Sequence, residues 1–300
     1  MKKKMYIAGC GGMLGDAFYK FYKNKYILRC TDKDIKKDRW LAYLDFNNFK
    51  NYKNDVTKFK PDILVHLGAL TDLEYCETNP EETYLTNYIS VENATYIANE
   101  LNIPLVFIST AGIFDGKKKE YDDWDIPNPL CHYAKSKYQA EIFVSNNAKR
   151  SIVCRAGWMM GGGINKDKKF INLIIKQIIN NKKILHIVND KLGTPTYTHD
   201  FVRNLDLLIN NKYWGVYNLV CQDVTSRYEV AKEIIKLLNL EKKIKIVKVK
   251  SSYFKKDYFV KRPASERLIN SKLKLRNLDI MRNWKICLKE YIYSEYKKLI

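Results

Sequence analysis

The chain has 300 residues, 46% of them hydrophobic and 13% aromatic, enough for a doubly wound domain with a smaller companion and too apolar for a disordered chain. Its 53 Lys and Arg against 33 Asp and Glu leave a formal net charge of +20. That excess raises nucleic-acid binding as a reading, but lysine far outnumbers arginine and the positives are spread along the chain, denser only at Lys242 to Lys256, as on solvated helix faces. No nucleic-acid partner is therefore expected, although the charge would attract an anionic ligand. No apolar run approaches the roughly 20 residues of a membrane span, so no membrane partner is expected either. Lys2-Lys3-Lys4 precedes an apolar stretch too short for a secretion signal and reads as the lead-in to a first strand. Cys10, Cys30, Cys76, Cys131, Cys154, Cys221 and Cys287 lie scattered with no C-x-x-C pair, which fits reduced thiols in the cytoplasm. The histidines are equally dispersed, and no metal site is expected.

Met5 to Ala8 has the length of a buried strand and runs into Gly9-Cys10-Gly11-Gly12-Met13-Leu14-Gly15, after which apolar residues recur at helical spacing. A strand, a glycine turn and a helix start together cradle a dinucleotide pyrophosphate. In that reading Gly9 makes the turn, Gly12 lets backbone approach phosphate, and Gly15 lets helix and strand pack closely. The spacing is G-x-x-G-x-x-G rather than G-x-G-x-x-G. A second strand, Tyr26 to Cys30, ends at Thr31-Asp32, and a carboxylate about 20 residues beyond the glycines is where such folds meet the adenosine ribose. Asp32 thus favours NAD, while Lys33, Lys36 and Lys37 leave a 2′-phosphate open.

Leu44-Asp45-Phe46 precedes a polar helix, and Pro61 to Leu67 is a buried-strand run entering Gly68-Ala69, where small residues let a cofactor lie across the strand end. A helix is predicted from about Pro80 to Glu100. The next strand, Pro104 to Ile108, delivers Ser109-Thr110; helical spacing returns from His132 to Val144, and Ser151 to Arg155 is a further strand. Strands alternating with helices imply a parallel, Rossmann-type doubly wound α/β sheet, with ligands at its carboxyl ends. Residues 1–156 are expected to form the dinucleotide-binding domain, with returning segments around 196–222. Residues 157–300 are expected to be mainly a smaller, mixed α/β substrate-binding lobe.

Tyr133-Ala134-Lys135-Ser136-Lys137 is a Y-x-x-x-K, which sets both side chains on one helix face. A nearby ammonium should lower the phenol from its free value near 10 and make Tyr133 a proton donor to a developing alkoxide. Thr110 would give the substrate oxygen a second hydrogen bond. With 22 tyrosines in the chain, the pair gains weight from its place after the glycine turn, the strand-end acid and the Ser/Thr strand end.

Across nearly its whole length the sequence resembles the extended short-chain dehydrogenase/reductases, and within them the dTDP-4-dehydrorhamnose reductases. The matching pieces are Gly9 to Gly15, Leu44-Asp45-Phe46, Lys60-Pro61-Asp62-Ile63, Ala69-Leu70-Thr71, and Glu77 and Pro80 before Asn87. They continue with Ile108-Ser109-Thr110, Ile113 to Gly116, Pro129-Leu130, Arg155 with Trp158, Val188-Asn189-Asp190, and Gly193-Thr194-Pro195-Thr196. Near the end stand Arg262-Pro263-Ala264-Ser265, Leu268, Asn270 to Leu273, and Trp284. The resemblance implies NAD(P)H-dependent reduction of the C4 ketone of a nucleotide-linked 4-keto-6-deoxy sugar. Tyr133 would protonate the oxygen, Lys137 would hold the ribose and tune Tyr133, and Thr110 would orient the carbonyl. Gly9, Gly12, Met13, Leu14, Gly15, Asp32, Asp45, Phe46, Gly68, Ala69, Thr71, Tyr133 and Lys137 would line the cofactor, NADH or NADPH. Thr110, Ala111, Trp158, Asn189 and Thr194 would meet the substrate. After the threonine the family usually carries Asp-Tyr; here stand Ala111-Gly112, which should reshape the sugar pocket. Two alternatives stay open at this point: an NAD-dependent sugar-nucleotide 4-epimerase and a non-catalytic NAD(P)-binding subunit. A homodimer is likewise left open.

Overall fold

The computed structural model describes residues 2–35, 38–297 and 299. Its sheet is built around β1 (Lys4–Ala8), which pairs with a strand on either side. Met5 and Ile7 point into one core and Tyr6 and Ala8 into another, so the strand is apolar throughout rather than alternating. Then follow α1 (Met13–Tyr22), β2 (Ile27–Asp32), β3 (Leu41–Tyr43), α2 (Phe49–Phe59) and β4 (Ile63–His66). After them come α3 (Leu73–Thr78), α4 (Pro80–Tyr84), α5 (Ser90–Glu100), β5 (Leu105–Thr110), α6 (His132–Asn147) and β6 (Ser151–Ala156). Among the described residues the sheet has seven parallel strands, in the order Gly215–Asn218, β6, β5, β4, β1, β2, β3. The doubly wound α/β reading therefore holds.

The chain winds outward from β1 through β2 and β3, then restarts on the other side with β4. That reversal opens a crevice between the carboxyl ends of β1 and β4, where open α/β sheets take ligands. Phe18 of α1 and Phe201 and Leu205 of the helix Thr198–Asn210 cover one face. Tyr52 and Val56 of α2, Val91 and Ala94 of α5, and Ala140 and Val144 of α6 cover the other.

The helix expected over Pro80 to Glu100 is broken. A π-helical turn, Leu85–Ile89, separates α4 from α5 and turns Asn87 inward. There the Asn87 amide accepts from the Leu70 N–H at 2.8 Å and donates to the Leu70 carbonyl at 3.0 Å, tying down the segment after β4. Such turns recur at functional sites.

Beyond β6 a second core forms from the helices Phe170–Ile179, Arg227–Leu237 and Trp284–Glu295, with Ile175, Ile234 and Leu288 buried between them. Two parallel strands, Ile184–Val188 and Lys245–Val249, complete it. No helix of the described residues is long and apolar enough to cross a membrane.

α6 is tied to the sheet by a buried ion pair, Arg155 of β6 with Glu141 of α6, at 2.5 Å. Truncating Arg155 leaves Glu141 charged and dry, which outweighs the lost Coulomb attraction. Arg155→Met is expected to lower unfolding free energy by about 3–5 kcal/mol in urea denaturation, and an unchanged midpoint would show that α6 is held by apolar packing alone.

Candidate active site

A cleft of about 690 Å³ runs between the sheet's carboxyl end and the second lobe. Its floor is the turn after β1. Gly9 has φ +74°, and a Cβ there would lie 2.3 Å from the Gly68 backbone; a Cβ on Gly15 would lie 2.0 Å from the Cys10 carbonyl oxygen. Gly12, by contrast, caps α1 with no side-chain hydrogen bond, and the space its missing Cβ would enter is open. The first amides of α1 thus face a cleft with room for an anion, and a dinucleotide pyrophosphate fits that chemistry. Asp32, at the end of β2, accepts from the Gly11 N–H at 2.8 Å and the Asp34 N–H at 3.0 Å, so it braces the turn as well as lining the cleft.

The opposite wall is built by β5 and α6. Thr110 ends β5, and its hydroxyl oxygen accepts from the Gly112 N–H at 3.1 Å, leaving the hydroxyl proton to point elsewhere. Lys137 is 4% exposed, with its ammonium 4.2 Å from the centre of the Phe107 ring. Burial pushes the Lys137 amine down to about 7, partly countered by Glu141. Burial also raises the Tyr133 phenol, and only its hydrogen bond with Thr110 pulls the other way. The lowered phenol expected from Y-x-x-x-K spacing is therefore corrected: loss of hydration holds the Tyr133 phenol above its ordinary value, so it keeps its proton.

The cleft brings together Gly9, Gly12, Met13, Leu14, Gly15, Asp32, Phe46, Gly68, Ala69, Thr71, Thr110, Tyr133, Lys137 and Trp158. Four residues lie off its lining. Asp45 pairs with Lys33 at 3.0 Å and caps the Asn47 N–H. Ala111 is 1% exposed, in a cluster with Ile113, Phe114 and Tyr121, so of the two changed positions after Thr110 only Gly112 faces the cleft. Asn189 follows the strand Ile184–Val188 and bonds through its N–H to the Val249 carbonyl. The buried Thr194 hydroxyl accepts from the Leu268 N–H, while its carbonyl accepts from the Trp158 N–H, so it places Trp158 from behind. Lys36 and Lys37, weighed for a 2′-phosphate, lie outside the described residues.

Gly11, inside the glycine turn, would bring a Cβ within 2.9 Å of the Asp32 carboxyl carbon. Two further lining residues had no local signal. Glu266, one residue past the quoted Arg262-Pro263-Ala264-Ser265, accepts from the Trp158 indole N–H at 2.7 Å. The Arg227 guanidinium sits 4.4 Å from the centre of the Trp158 ring and 4.9 Å from that of Phe170.

Residues 3–297 match the family model described as the RmlD substrate binding domain. A dTDP-4-dehydrorhamnose reductase of Aggregatibacter actinomycetemcomitans is 27% identical over 282 residues, 90% of this chain and 92% of that protein. A crystal structure of a dTDP-4-dehydrorhamnose reductase from Clostridium acetobutylicum ATCC 824 superposes with a TM-score of 0.87 at 29% identity, covering 97% of this chain and 99% of that one. Another, from Bacillus anthracis str. Ames in complex with NADP, gives a TM-score of 0.89 at 25% identity, covering 98% and 100%.

Beneath the cleft floor His66 is 1% exposed, 3.1 Å from both the Tyr52 and the Ser90 hydroxyls. Burial and the nearby Lys137 push its imidazole down to about 3 from an ordinary 6.5. Below 6.5 the unfolded chain takes up a proton that the folded one refuses, so this contribution to stability is whole above 6.5 and lost as pH falls towards 3. Urea midpoints are expected to decline over that window in the native chain and less steeply in His66→Gln; parallel declines would contradict this.

Proposed function

The chain belongs to the RmlD substrate binding domain family, and on that footing we propose that it is an NAD(P)H-dependent reductase of the C4 ketone of a nucleotide-linked 4-keto-6-deoxy sugar. The observation that carries this reading is that Thr110, Tyr133 and Lys137 line the same cleft into which the glycine turn opens. In that cleft a bound reduced nicotinamide supplies the hydride. The Gly9–Gly15 turn and the first amides of α1 would hold its pyrophosphate, Asp32 the adenosine ribose, and Lys137 the other ribose. Phe46, Gly68, Ala69 and Thr71 form the shelf beside it.

Tyr133 gives its proton to the ketone oxygen as negative charge gathers there. An alkoxide is far more basic than a phenol, so a phenol held above its ordinary value still donates. Thr110, whose hydroxyl bonds the Tyr133 phenol, turns its proton to the same oxygen. Lys137, poised near neutrality, stabilises the tyrosinate left behind and returns a proton to it. Lys169, whose ammonium donates to the Thr71 carbonyl and hydroxyl at 3.1 Å, ties the second lobe to the cofactor shelf. The likenesses named above favour neither an epimerase nor a non-catalytic subunit, and a regulator has no use for this proton-donating trio. All seven cysteines are buried and free, which supports a cytoplasmic setting.

Tyr133→Phe keeps the ring and removes the proton. It is expected to cut NAD(P)H oxidation with a dTDP-linked 4-keto-6-deoxyhexose by roughly 10²–10⁴-fold while cofactor affinity, by fluorescence titration, stays as it was. Undiminished turnover would remove Tyr133 from the chemistry.

A further inference from the structure

Gly112 stands between two oxygens, each at ordinary contact distance from where a Cβ would sit. A Cβ built on it would lie 3.5 Å from the Thr110 hydroxyl oxygen and 3.6 Å from Glu266 Oε1. The carboxyl group of Glu266 therefore reaches, from the far lobe, into the gap beside the threonine that orients the ketone. It is held there from one side only: Oε2 accepts from the Trp158 indole N–H at 2.7 Å. Among the described residues, nothing donates a hydrogen bond to Oε1. The indole is itself immobilised, since a Cβ on Gly193 would fall 2.3 Å from its Cε2 and Arg227 stacks 4.4 Å from its centre. A rigid ring thus aims a carboxylate oxygen with spare lone pairs at the space beside Thr110, and its charge is near enough to bear on the Tyr133 phenol.

In a 4-keto-6-deoxyhexose the carbons flanking the carbonyl differ. C5 carries a methyl group and the ring oxygen, whereas C3 carries a hydroxyl. Of the two carbons flanking the carbonyl, only C3 offers a donor to a carboxylate oxygen set beside the carbonyl-orienting threonine. We infer that Glu266 is a substrate-binding, specificity-determining residue, whose Oε1 accepts a hydrogen bond from the C3 hydroxyl of the sugar and so selects hexoses that carry one. This rests on the reductase reading and deepens it, naming the sugar class the altered pocket takes. A hydroxyl bound to a carboxylate exceeds a neutral hydrogen bond, and a site built to hold a hydroxyl rejects the analogue lacking it because its own polar group is left unpaired.

The test compares kcat/KM for dTDP-4-keto-6-deoxyhexose and its 3-deoxy counterpart in the native chain, Glu266→Gln, Glu266→Ala and Trp158→Phe. The native chain is expected to prefer the hydroxylated sugar by roughly 10- to 100-fold. Glu266→Ala should collapse that preference by lowering only the hydroxylated sugar's kcat/KM, with cofactor affinity unchanged, and Glu266→Gln should fall between the two. Trp158→Phe, which loses the indole N–H that aims the carboxylate but keeps the carboxylate, should weaken the preference less than Glu266→Ala does. Equal losses on both sugars in the Glu266 variants would reduce Glu266 to a prop for Trp158 and overturn the inference while leaving the reductase reading intact. Equal turnover of both sugars by the native chain would overturn it without any variant. If the native chain turns over neither sugar, nor any other 4-keto sugar nucleotide, the reading beneath the inference falls with it.

Discussion

Where β1 and β4 end, two stretches of backbone run so close that no side-chain carbon fits between Gly9 and Gly68. That contact fixes the depth of the crevice at the point where the strand order reverses. With the turn pressed against the end of β4, α1 starts at the cleft floor and presents its unpaired amides upward. The same approach leaves Gly68 without room for a side chain, because the Phe46 ring already fills the place of its Cβ at 2.3 Å. Asp32 then locks the loop through Gly11 and Asp34, and Asn87 locks the next segment through Leu70. The cleft floor is therefore a consequence of backbone packing, and its polar groups are braces placed on it.

Against that rigid floor the second wall is electrostatically unusual. Lys137, Tyr133 and His66 lie within one buried neighbourhood, and burial disfavours the charged form of each. The consequence is a neutral imidazole beneath, an amine that titrates near neutrality, and a phenol that keeps its proton until an alkoxide demands it. A tyrosine already ionised at rest would have nothing to give a ketone. The arrangement suits reduction, where the proton must be delivered at the moment negative charge appears.

The parts of the site that a sequence reveals are those made by contiguous residues. The glycine turn, the acid closing β2, the Ser/Thr end of β5 and Y-x-x-x-K each declare themselves within a few positions. The residues that sequence reasoning passed over, Arg227 and Glu266, come from distant segments and meet Trp158 only through tertiary packing. Ala111 shows the converse: it follows Thr110 directly, yet one step of chain turns it into a separate apolar cluster. Spacing likewise placed Lys137 beside Tyr133 but carried no information on hydration, which decides the direction of the phenol's shift. The break in the helix after Pro80 was hidden for a similar reason, since only the partner of Asn87 explains it.

The central claim is that hydride passes from a nicotinamide to the sugar carbon while Tyr133 supplies the proton. Reduced cofactor dideuterated at nicotinamide C4, incubated with the chain and a dTDP-linked 4-keto-6-deoxyhexose, tests it most directly. One deuterium at sugar C4 for each cofactor oxidised, seen by proton NMR and mass spectrometry of the product, is what the account predicts. Cofactor oxidation with an unlabelled sugar C4, or no oxidation with any 4-keto sugar nucleotide, would contradict it.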